Sequence, residues 1–227
     1  MPDRPLWFRR PEPRTLAAIA ALAGGIWAFL TLGGEMLEGE TRALDRRLLL
    51  ALRTPGDPAA PLGSHSLREA MRDVTALGGF TVLTLVTVVG VIAFLLHGKR
   101  RHALMLAVTV LAAQFGSGQL KLFYARPRPS LVPHEVYVSS NSFPSGHSML
   151  AATVYLTIAM LVASLEARRG AKTLVFLVAL LVMTAVGVSR VYLGVHWPSD
   201  VLAGWCAGAV FALAAWAALS RFGVGAR

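Results

Sequence analysis

The sequence predicts an all-α membrane protein built as a bundle of about six transmembrane helices. The chain has 227 residues, of which 55% are hydrophobic and 15% are charged, whereas soluble domains have about 25% charged residues. Six long apolar runs follow one another along the chain, and none of them contains an Asp, Glu, Lys or Arg. Composition, run length and the absence of charge within the runs therefore all favour a lipid-embedded protein over a soluble one.

The six runs have about the length that a spanning helix requires. The first follows a basic, proline-rich tail and could be a signal peptide, but no convincing small-residue cleavage site follows it, so we predict a membrane helix. Cys206, in the last run, is the single cysteine of the sequence, so no intrachain disulfide can form. The predicted spans are residues 16–32, 80–96, 103–120, 149–165, 173–188 and 201–219.

The predicted loop at residues 33–78 is more polar than the other connections. Leu44, Leu48, Leu49 and Leu52 recur in it at helical spacing, which indicates a short amphipathic helix at the lipid surface. Prolines and a glycine predict a turn at residues 54–61. Ser66 and Glu69 have capping-box spacing, which predicts a second helix beginning there. We interpret this loop as a cover over the membrane surface or a guide for lipid.

The distribution of basic residues predicts the orientation of the chain. Residues 1–15, 97–102, 166–172 and 221–227 hold 12 of the 22 Lys and Arg residues, and six spans would place these four segments on one side. The positive-inside rule assigns that side to the cytoplasm, together with both termini. Residues 33–78, 121–147 and 189–200 then share the outer face. We therefore expect an integral protein of a bacterial inner membrane with its active site towards the periplasm or exterior.

The net charge of +10 raises the question of a nucleic-acid partner. Nucleic-acid-binding proteins concentrate their basic residues in a patch or a known binding module, whereas here these residues lie in short clusters between apolar runs. The sequence therefore predicts the lipid bilayer, and no nucleic acid, as the partner. It predicts nothing about oligomeric state.

One polar island, Pro144 to His147, immediately precedes a predicted spanning helix. Ser145 suits the N-cap position, and the free N–H groups at a helix start form an anion site that the helix dipole strengthens. Gly146 would let the backbone approach a ligand closely. Taken alone, this tetrapeptide fits a capped helix without a ligand equally well.

Two further polar islands, Lys121 to Pro129 and Ser189 to Asp200, carry imidazole, carboxylate and cationic groups. His196 and Asp200 are four residues apart, with Pro198 suited to the first turn of the next helix, so their side chains can meet on one face. A carboxylate that fixes the tautomer of an imidazole makes it a useful nucleophile or base. Alone, such a pair can simply cap a helix. Lys121, Arg128 and Arg190 add donors suited to phosphate oxygens, although each alone fits a cation at the membrane boundary.

Together these residues resemble the three-part signature of the type 2 phosphatidic acid phosphatase (PAP2) superfamily, which includes glucose-6-phosphatase and the vanadium haloperoxidases. Every signature position is present and in order. The motifs cover roughly residues 121–200, and the six-span layout of the integral-membrane members matches the whole chain, 1–227, as one domain. The matching residues are Lys121 with Arg128 and Pro129, then Pro144 with Ser145, Gly146 and His147, then Ser189 with Arg190, His196 and Asp200.

The resemblance implies a role for each site residue and a PAP2-type helical core. His196 would attack phosphorus to give a phosphohistidine, Asp200 would orient it, and His147 would protonate the leaving oxygen and then activate water. The phosphoryl oxygens would be held by Lys121, Arg128, Arg190, Ser145 and Gly146. Cationic side chains would replace a metal ion, so neither a metal nor another cofactor is expected.

The resulting hypothesis is a phosphatase acting on a membrane lipid phosphate or diphosphate. Undecaprenyl diphosphate, phosphatidylglycerophosphate, phosphatidate and lipid A phosphate all remain candidate substrates. The alternatives are a metal hydrolase that also uses His134, a phosphotransferase that passes the phosphoryl group to an alcohol, and a transporter or non-catalytic lipid-binding protein. A haloperoxidase would be expected to be soluble, which the apolar runs argue against.

Overall fold

The structure is a bundle of long helices with small elements at one end. A computed structural model describes residues 13–221, with side chains for residues 16–220. The helices in this part of the chain are α1 (Pro13–Glu38), α2 (Arg42–Leu50), α3 (His65–Ala76), α4 (Phe80–Leu96), α5 (Arg100–Tyr124), α6 (Gly146–Leu165), α7 (Arg169–Tyr192) and α8 (Pro198–Arg221). Two short antiparallel strands, β1 (Arg53–Thr54) and β2 (Asp57–Pro61), form a hairpin.

Within residues 13–221, five helices are long and apolar enough to cross a membrane, namely α1, α5, α6, α7 and α8. Helix α4 has 17 residues, and it passes the same test only together with α3, from which it is bent by 47°. The prediction of an all-α membrane bundle is confirmed, with six spans when this bent pair counts as one. The predicted tail at 1–15 and the basic cluster at 221–227 lie outside the described side chains.

The helices extend beyond the apolar runs that predicted them. Helix α1 continues to Glu38, so residues 33–38, which we assigned to the loop, are helical. Helix α5 likewise continues to Tyr124 and includes Lys121 in its last turn. A run of apolar residues marks only the lipid-embedded part of a helix, whereas the backbone hydrogen bonding can continue into the polar interface.

Helix α6 forms the centre of the bundle. In its most apolar stretch 61% of the residues are buried, against 17% for α1. Helix α8 packs closely on α6 through Gly204 and Gly208, since a Cβ at Gly204 would lie 2.8 Å from Ser145 O and one at Gly208 would overlap Met149 O. This four-residue spacing of small side chains is common where membrane helices touch. The close approach holds the start of α6 against the start of α8.

The segment between α1 and α4 differs in detail from its prediction. Helix α2 is present, but its Leu44 and Leu48 are exposed while Leu49 is buried. Helix α3 begins at His65, and Ser64 caps it by accepting a hydrogen bond from Leu67 N–H, so the predicted capping box at Ser66 is wrong. Either serine could cap a helix, and the extended backbone at position 64 decided between them. The predicted turn at 54–61 is the β hairpin.

Large apolar side chains cover the outside of the bundle. Exposed examples with at least 62% of their surface accessible are Trp27, Leu85, Leu111, Phe115 and Leu181. A soluble monomer rarely exposes so continuous an apolar surface, whereas a bilayer solvates it. The buried Asp and Arg side chains instead lie near the end where α2, the hairpin and α3 pack, and they are Asp45, Arg53, Arg126, Arg190 and Asp200.

Candidate active site

A pocket of about 350 Å³ opens at the end of the bundle that carries α3. Three cationic side chains and two imidazoles line it, and the described residues of the lining include no Asp or Glu. This lining suits an anion. The residues that line the pocket are Thr75, Lys121, Arg128, Val136, Tyr137, Val138, Ser139, Ser140, Gly146, His147, Arg190 and His196.

The pocket gathers all three polar islands because each island lies at the end of a helix. Lys121 lies in the last turn of α5 and Arg190 in the last turn of α7. Gly146 and His147 form the first turn of α6, and His196 lies in the short connection before α8. Residues of the three islands that are up to 75 positions apart in the sequence, from Lys121 to His196, therefore share one cavity.

His196 lies between Asp200 and Arg128 and is 1% exposed. Its Nδ1 is 3.4 Å from Asp200 Oδ2, and its Nε2 is 3.2 Å from Arg128 Nη1. A guanidinium has only donors, so the contact with Arg128 is a hydrogen bond only when Nε2 carries no proton. The arrangement favours the tautomer with the proton on Nδ1, facing Asp200, and with the free electron pair of Nε2 towards the pocket.

The burial of His196 also affects its protonation. Removal from water lowers the pKa of His196 to about 3, although the hydrogen bond to the Asp200 carboxylate and its charge act in the opposite direction. The imidazole is therefore neutral at physiological pH. A neutral imidazole with a free Nε2 is the form that can act as a nucleophile.

Arg128 and Lys121 are held in place by backbone carbonyl groups. Arg128 donates to Ser140 O at 2.7 Å and to Val195 O at 2.6 Å, and its burial lowers its pKa. Lys121 donates to Asn141 O at 2.5 Å, and Asn141 returns a hydrogen bond to Lys121 O. Both cations thus enter the pocket with fixed positions rather than as free surface side chains.

Arg190 is buried with an incomplete set of partners. It is 3% exposed, and its Nη1 donates to Thr75 Oγ1 at 2.9 Å. Its Nε has no hydrogen-bond partner among the described residues. Burying a donor without an acceptor costs about 1–3 kcal/mol. A bound phosphoryl oxygen would supply the acceptor that Arg190 lacks.

The start of α6 contributes to the pocket through Gly146 and His147 but not through Ser145. The hydroxyl oxygen of Ser145 accepts hydrogen bonds from Ser148 N–H and Ser148 Oγ–H, as an N-cap does. Ser145 N–H donates to Asp200 O at 2.9 Å, which ties α6 to α8. The N-cap prediction is confirmed, whereas a contact between Ser145 and a phosphoryl oxygen stays a prediction.

The bend between α3 and α4 lies close to His147. A Cβ at Gly78 would lie 3.2 Å from His147 O and would overlap the side chain of Val186, so a glycine lets the bend pack onto the start of α6. His134, the additional ligand of the metal-hydrolase alternative, is not in the pocket lining and contacts Pro129 O through Nε2 at 2.7 Å. Within residues 13–221, no three His, Cys, Asp or Glu side chains are grouped for a metal ion.

Three buried residues near His196 were missed by the sequence analysis. Ser142 Oγ–H donates to Asp200 Oδ2, and Arg126 forms ion pairs with both Asp200 and Asp45. A signal existed for Asp45, because it is four residues before Leu49 and so shares the inward face of α2. Arg126 lies within the island that runs from Lys121 to Pro129, but nothing in the sequence distinguishes it from a cation at the membrane boundary.

The fold and the pocket define a class of protein: a polytopic membrane protein with a cationic, imidazole-bearing anion site at one end of its helices. The sequence pattern of the PAP2 superfamily matches residues 102–223. The chain belongs to this superfamily and is a membrane lipid phosphatase of the PAP2 type.

Named relatives agree with this assignment. The chain is 40% identical over 149 residues to phosphatidylglycerophosphatase B of Bacillus subtilis (strain 168). This alignment covers 63% of this chain and 70% of the relative. It is 34% identical over 67 residues to undecaprenyl-diphosphatase of Sulfolobus acidocaldarius, over 30% of this chain and 28% of the relative. The crystal structure of the PAP2-type phosphatidylglycerolphosphate phosphatase from Bacillus subtilis superposes with a TM-score of 0.75 and 30% identity, covering 88% of this chain and 94% of that chain.

Proposed function

We propose that this protein removes a phosphate group from a membrane lipid phosphate by a metal-independent phosphohistidine mechanism at the outer face of the membrane. The observation that carries this proposal is the position of His196, whose Nε2 faces a pocket lined by Lys121, Arg128 and Arg190. Phosphoryl transfer depends mainly on placing positive groups around the charge that spreads in the transition state. Three fixed cations around one nucleophile meet this need.

In the proposed first step, Nε2 of His196 attacks phosphorus and forms a P–N bond while the bond from phosphorus to the leaving oxygen breaks. His147 gives its proton to that oxygen, and the lipid alcohol or lipid monophosphate departs. In the second step His147 takes a proton from water, the hydroxyl attacks phosphorus, and the P–N bond breaks to release inorganic phosphate. Asp200 stabilises the positive imidazole between the two steps.

The names of the relatives guide the choice of substrate. The relative with the larger coverage is named for phosphatidylglycerophosphate, and the relative from Sulfolobus acidocaldarius is named for undecaprenyl diphosphate. We propose phosphatidylglycerophosphate as the preferred substrate, with undecaprenyl diphosphate and then phosphatidate behind it. Because these lipids present their phosphate groups at similar depth in the membrane, the same pocket can accept each of them. The leaving group then determines which lipid is hydrolysed fastest.

A panel of lipid phosphates tests the proposed function. We expect the purified protein to release phosphate fastest from phosphatidylglycerophosphate. We expect excess EDTA to leave the rate unchanged, because cationic side chains rather than a metal ion stabilise the charge on the phosphoryl group. The assay measures inorganic phosphate from each lipid in mixed micelles, with and without EDTA. Loss of activity in EDTA that added Mg²⁺ or Zn²⁺ restores would contradict the metal-independent route, and transfer of phosphate to an added alcohol would indicate a phosphotransferase.

The pH dependence tests the protonation states of the two histidines. Because the pKa of His196 is lowered to about 3, more than about 90% of the imidazole is unprotonated above about pH 4. We expect kcat/KM, corrected for ionisation of the substrate phosphate, to fall on the acid side only near or below that pH. In the enzyme–substrate complex the negative charge of the bound phosphate keeps a proton on His147, so kcat should fall on the alkaline side as His147 loses that proton, giving a bell-shaped profile of kcat. An acid limb centred near pH 6.5, or a flat profile, would contradict these roles.

A further inference from the structure

A buried ion-pair network lies behind His196, on the Asp200 side of the imidazole. It consists of Asp45, Arg126, Ser199 and Asp200, which we call the Arg126 network. All four residues are at most 9% exposed, and none of them lines the pocket. A charge this deeply buried is strongly destabilising unless it is paired, so the contacts of each member constrain the others.

Arg126 joins the two carboxylates of this network. Its Nη1 donates to Asp200 Oδ1 at 2.5 Å and to Ser199 Oγ at 2.8 Å. Its Nη2 donates to Asp45 Oδ2 at 2.7 Å. The ring of Trp197 lies 5.5 Å from the guanidinium carbon, within the range of a cation–π contact. Arg126 is thus enclosed by protein partners and has little freedom to reorient.

The Arg126 contact completes the hydrogen bonding of Asp200. Oδ2 of this carboxylate accepts from Trp197 N–H at 2.9 Å and from Ser142 Oγ–H, and it faces Nδ1 of His196. Oδ1 is occupied by Arg126. With both oxygens held, the carboxylate cannot rotate. Which oxygen faces His196 is therefore set in part by Arg126.

Asp45 anchors the other end of the network to α8. Its Oδ1 accepts from Ser199 N–H at 2.8 Å and its Oδ2 from Ser199 Oγ–H at 2.6 Å. Ser199 is in the first turn of α8, where free N–H groups and the helix dipole favour a carboxylate. Asp45 therefore fixes both Arg126 and the start of the helix that carries Asp200. Its own helix, α2, is thereby linked to the active site through side chains.

We propose that Arg126 is a positioning residue for the reaction, and that Asp45 acts through it. Arg126 holds Asp200 in the orientation that keeps the Nδ1 proton of His196 towards the carboxylate and Nε2 towards phosphorus. This inference rests on the proposed phosphatase function. Because neither residue reaches the pocket, their loss should lower kcat and leave KM nearly unchanged, whereas a residue that binds the phosphate would also raise KM.

A set of four variants tests this positioning role. We expect Arg126→Met, which keeps the side-chain length without the charge, to lower kcat by about 100-fold with KM within about two-fold. Arg126→Lys should restore part of the rate, since one ammonium can pair with Asp200 but cannot bridge both carboxylates. Asp45→Asn, whose amide oxygen can still accept from Ser199 N–H, should lower kcat by about ten-fold, and its combination with Arg126→Met should be no worse than Arg126→Met alone. Asp73→Asn, at an exposed position on α3, is the matched control and should behave as the parent.

The outcomes separate this proposal from the proposed function. Kinetics are measured on variants whose thermal unfolding shows that they are folded. If the parent is active and folded Arg126→Met has a normal kcat, the positioning role is overturned. It is also overturned if the loss of kcat in the double variant equals the product of the losses in the two single variants. Should Arg126→Met fail to fold, a normal kcat in folded Asp45→Asn overturns it instead. A parent that releases no phosphate from any lipid phosphate would overturn the proposed function itself.

Discussion

Replacing His196 should abolish phosphate release, with kcat/KM falling by at least about 10³-fold in His196→Gln and His196→Ala. No other imidazole in the described part of the chain combines a carboxylate at Nδ1 with a cation at Nε2. Because His196 is buried, His196→Ala leaves a cavity that could itself destabilise the protein. His196→Gln is closer in volume to the parent and retains hydrogen-bonding groups, so its kcat/KM is the measurement that tests the role of His196 as nucleophile.

Two other histidines give controls for this result. His65 is exposed on α3, with 81% of its side-chain surface accessible, so His65→Ala should keep the activity of the parent. His134→Ala tests the metal-hydrolase alternative, because a metal ligand would be as necessary as His196. Folded His196→Gln protein with activity within about ten-fold of the parent would contradict the phosphohistidine mechanism. Loss of activity in His134→Ala together with sensitivity to EDTA would favour the metal hydrolase.

Adding a methyl group at Gly208 should destabilise the whole bundle. A Cβ there would overlap Met149 O and lie 2.7 Å from Ala152 Cβ, so α6 and α8 would have to separate. Overpacking of this kind costs about 1–3 kcal/mol or more. For a chain of this size we expect the unfolding temperature of Gly208→Ala in detergent to fall by about 5–10 °C. Gly208→Val, with two further methyl groups, should give little folded protein.

Gly24 provides the matched control for this substitution. It also lies inside a spanning helix, but a Cβ at Gly24 would meet no atom within 4 Å. Alanine is favoured over glycine in a helix by about 1 kcal/mol, so Gly24→Ala should unfold at the temperature of the parent or slightly above it. If Gly208→Ala unfolds at the same temperature as Gly24→Ala, the prediction is contradicted, because α6 and α8 can then accommodate the added methyl group without loss of stability.

Most of the fold could be predicted because lipid solvation acts on each segment separately. A run such as residues 173–188 is apolar on every side, and that property is local to the sequence. The ends of the helices were less predictable, as two cases illustrate: α1 continues to Glu38, beyond its apolar run, and α3 is capped by Ser64 rather than by Ser66. There the polar interface tolerates both helix and loop, and the choice depends on local backbone geometry. The β hairpin was predicted only as a turn, since its strands are too short to have a pattern.

The site was predictable where its chemistry is concentrated in short motifs. His147, His196 and Lys121 were identified from their islands, and the structure places them around one pocket. Ser145 illustrates the limit, because the same residue type serves as an N-cap or as a phosphate ligand and the structure uses its hydroxyl as a cap. Arg126 and Asp45 could not be paired from the sequence, since 81 residues separate them.

The sequence by itself determined that this chain enters a membrane and where its apolar runs lie, and it predicted which residues would bind a phosphate. Each of these properties belongs to a short segment and follows from its own composition. The tertiary structure alone decided which helix ends meet, that Arg128 faces Nε2 of His196, and that Arg126 bridges Asp45 and Asp200. A buried charge requires a partner, but its own sequence neighbourhood does not specify which distant residue will supply it.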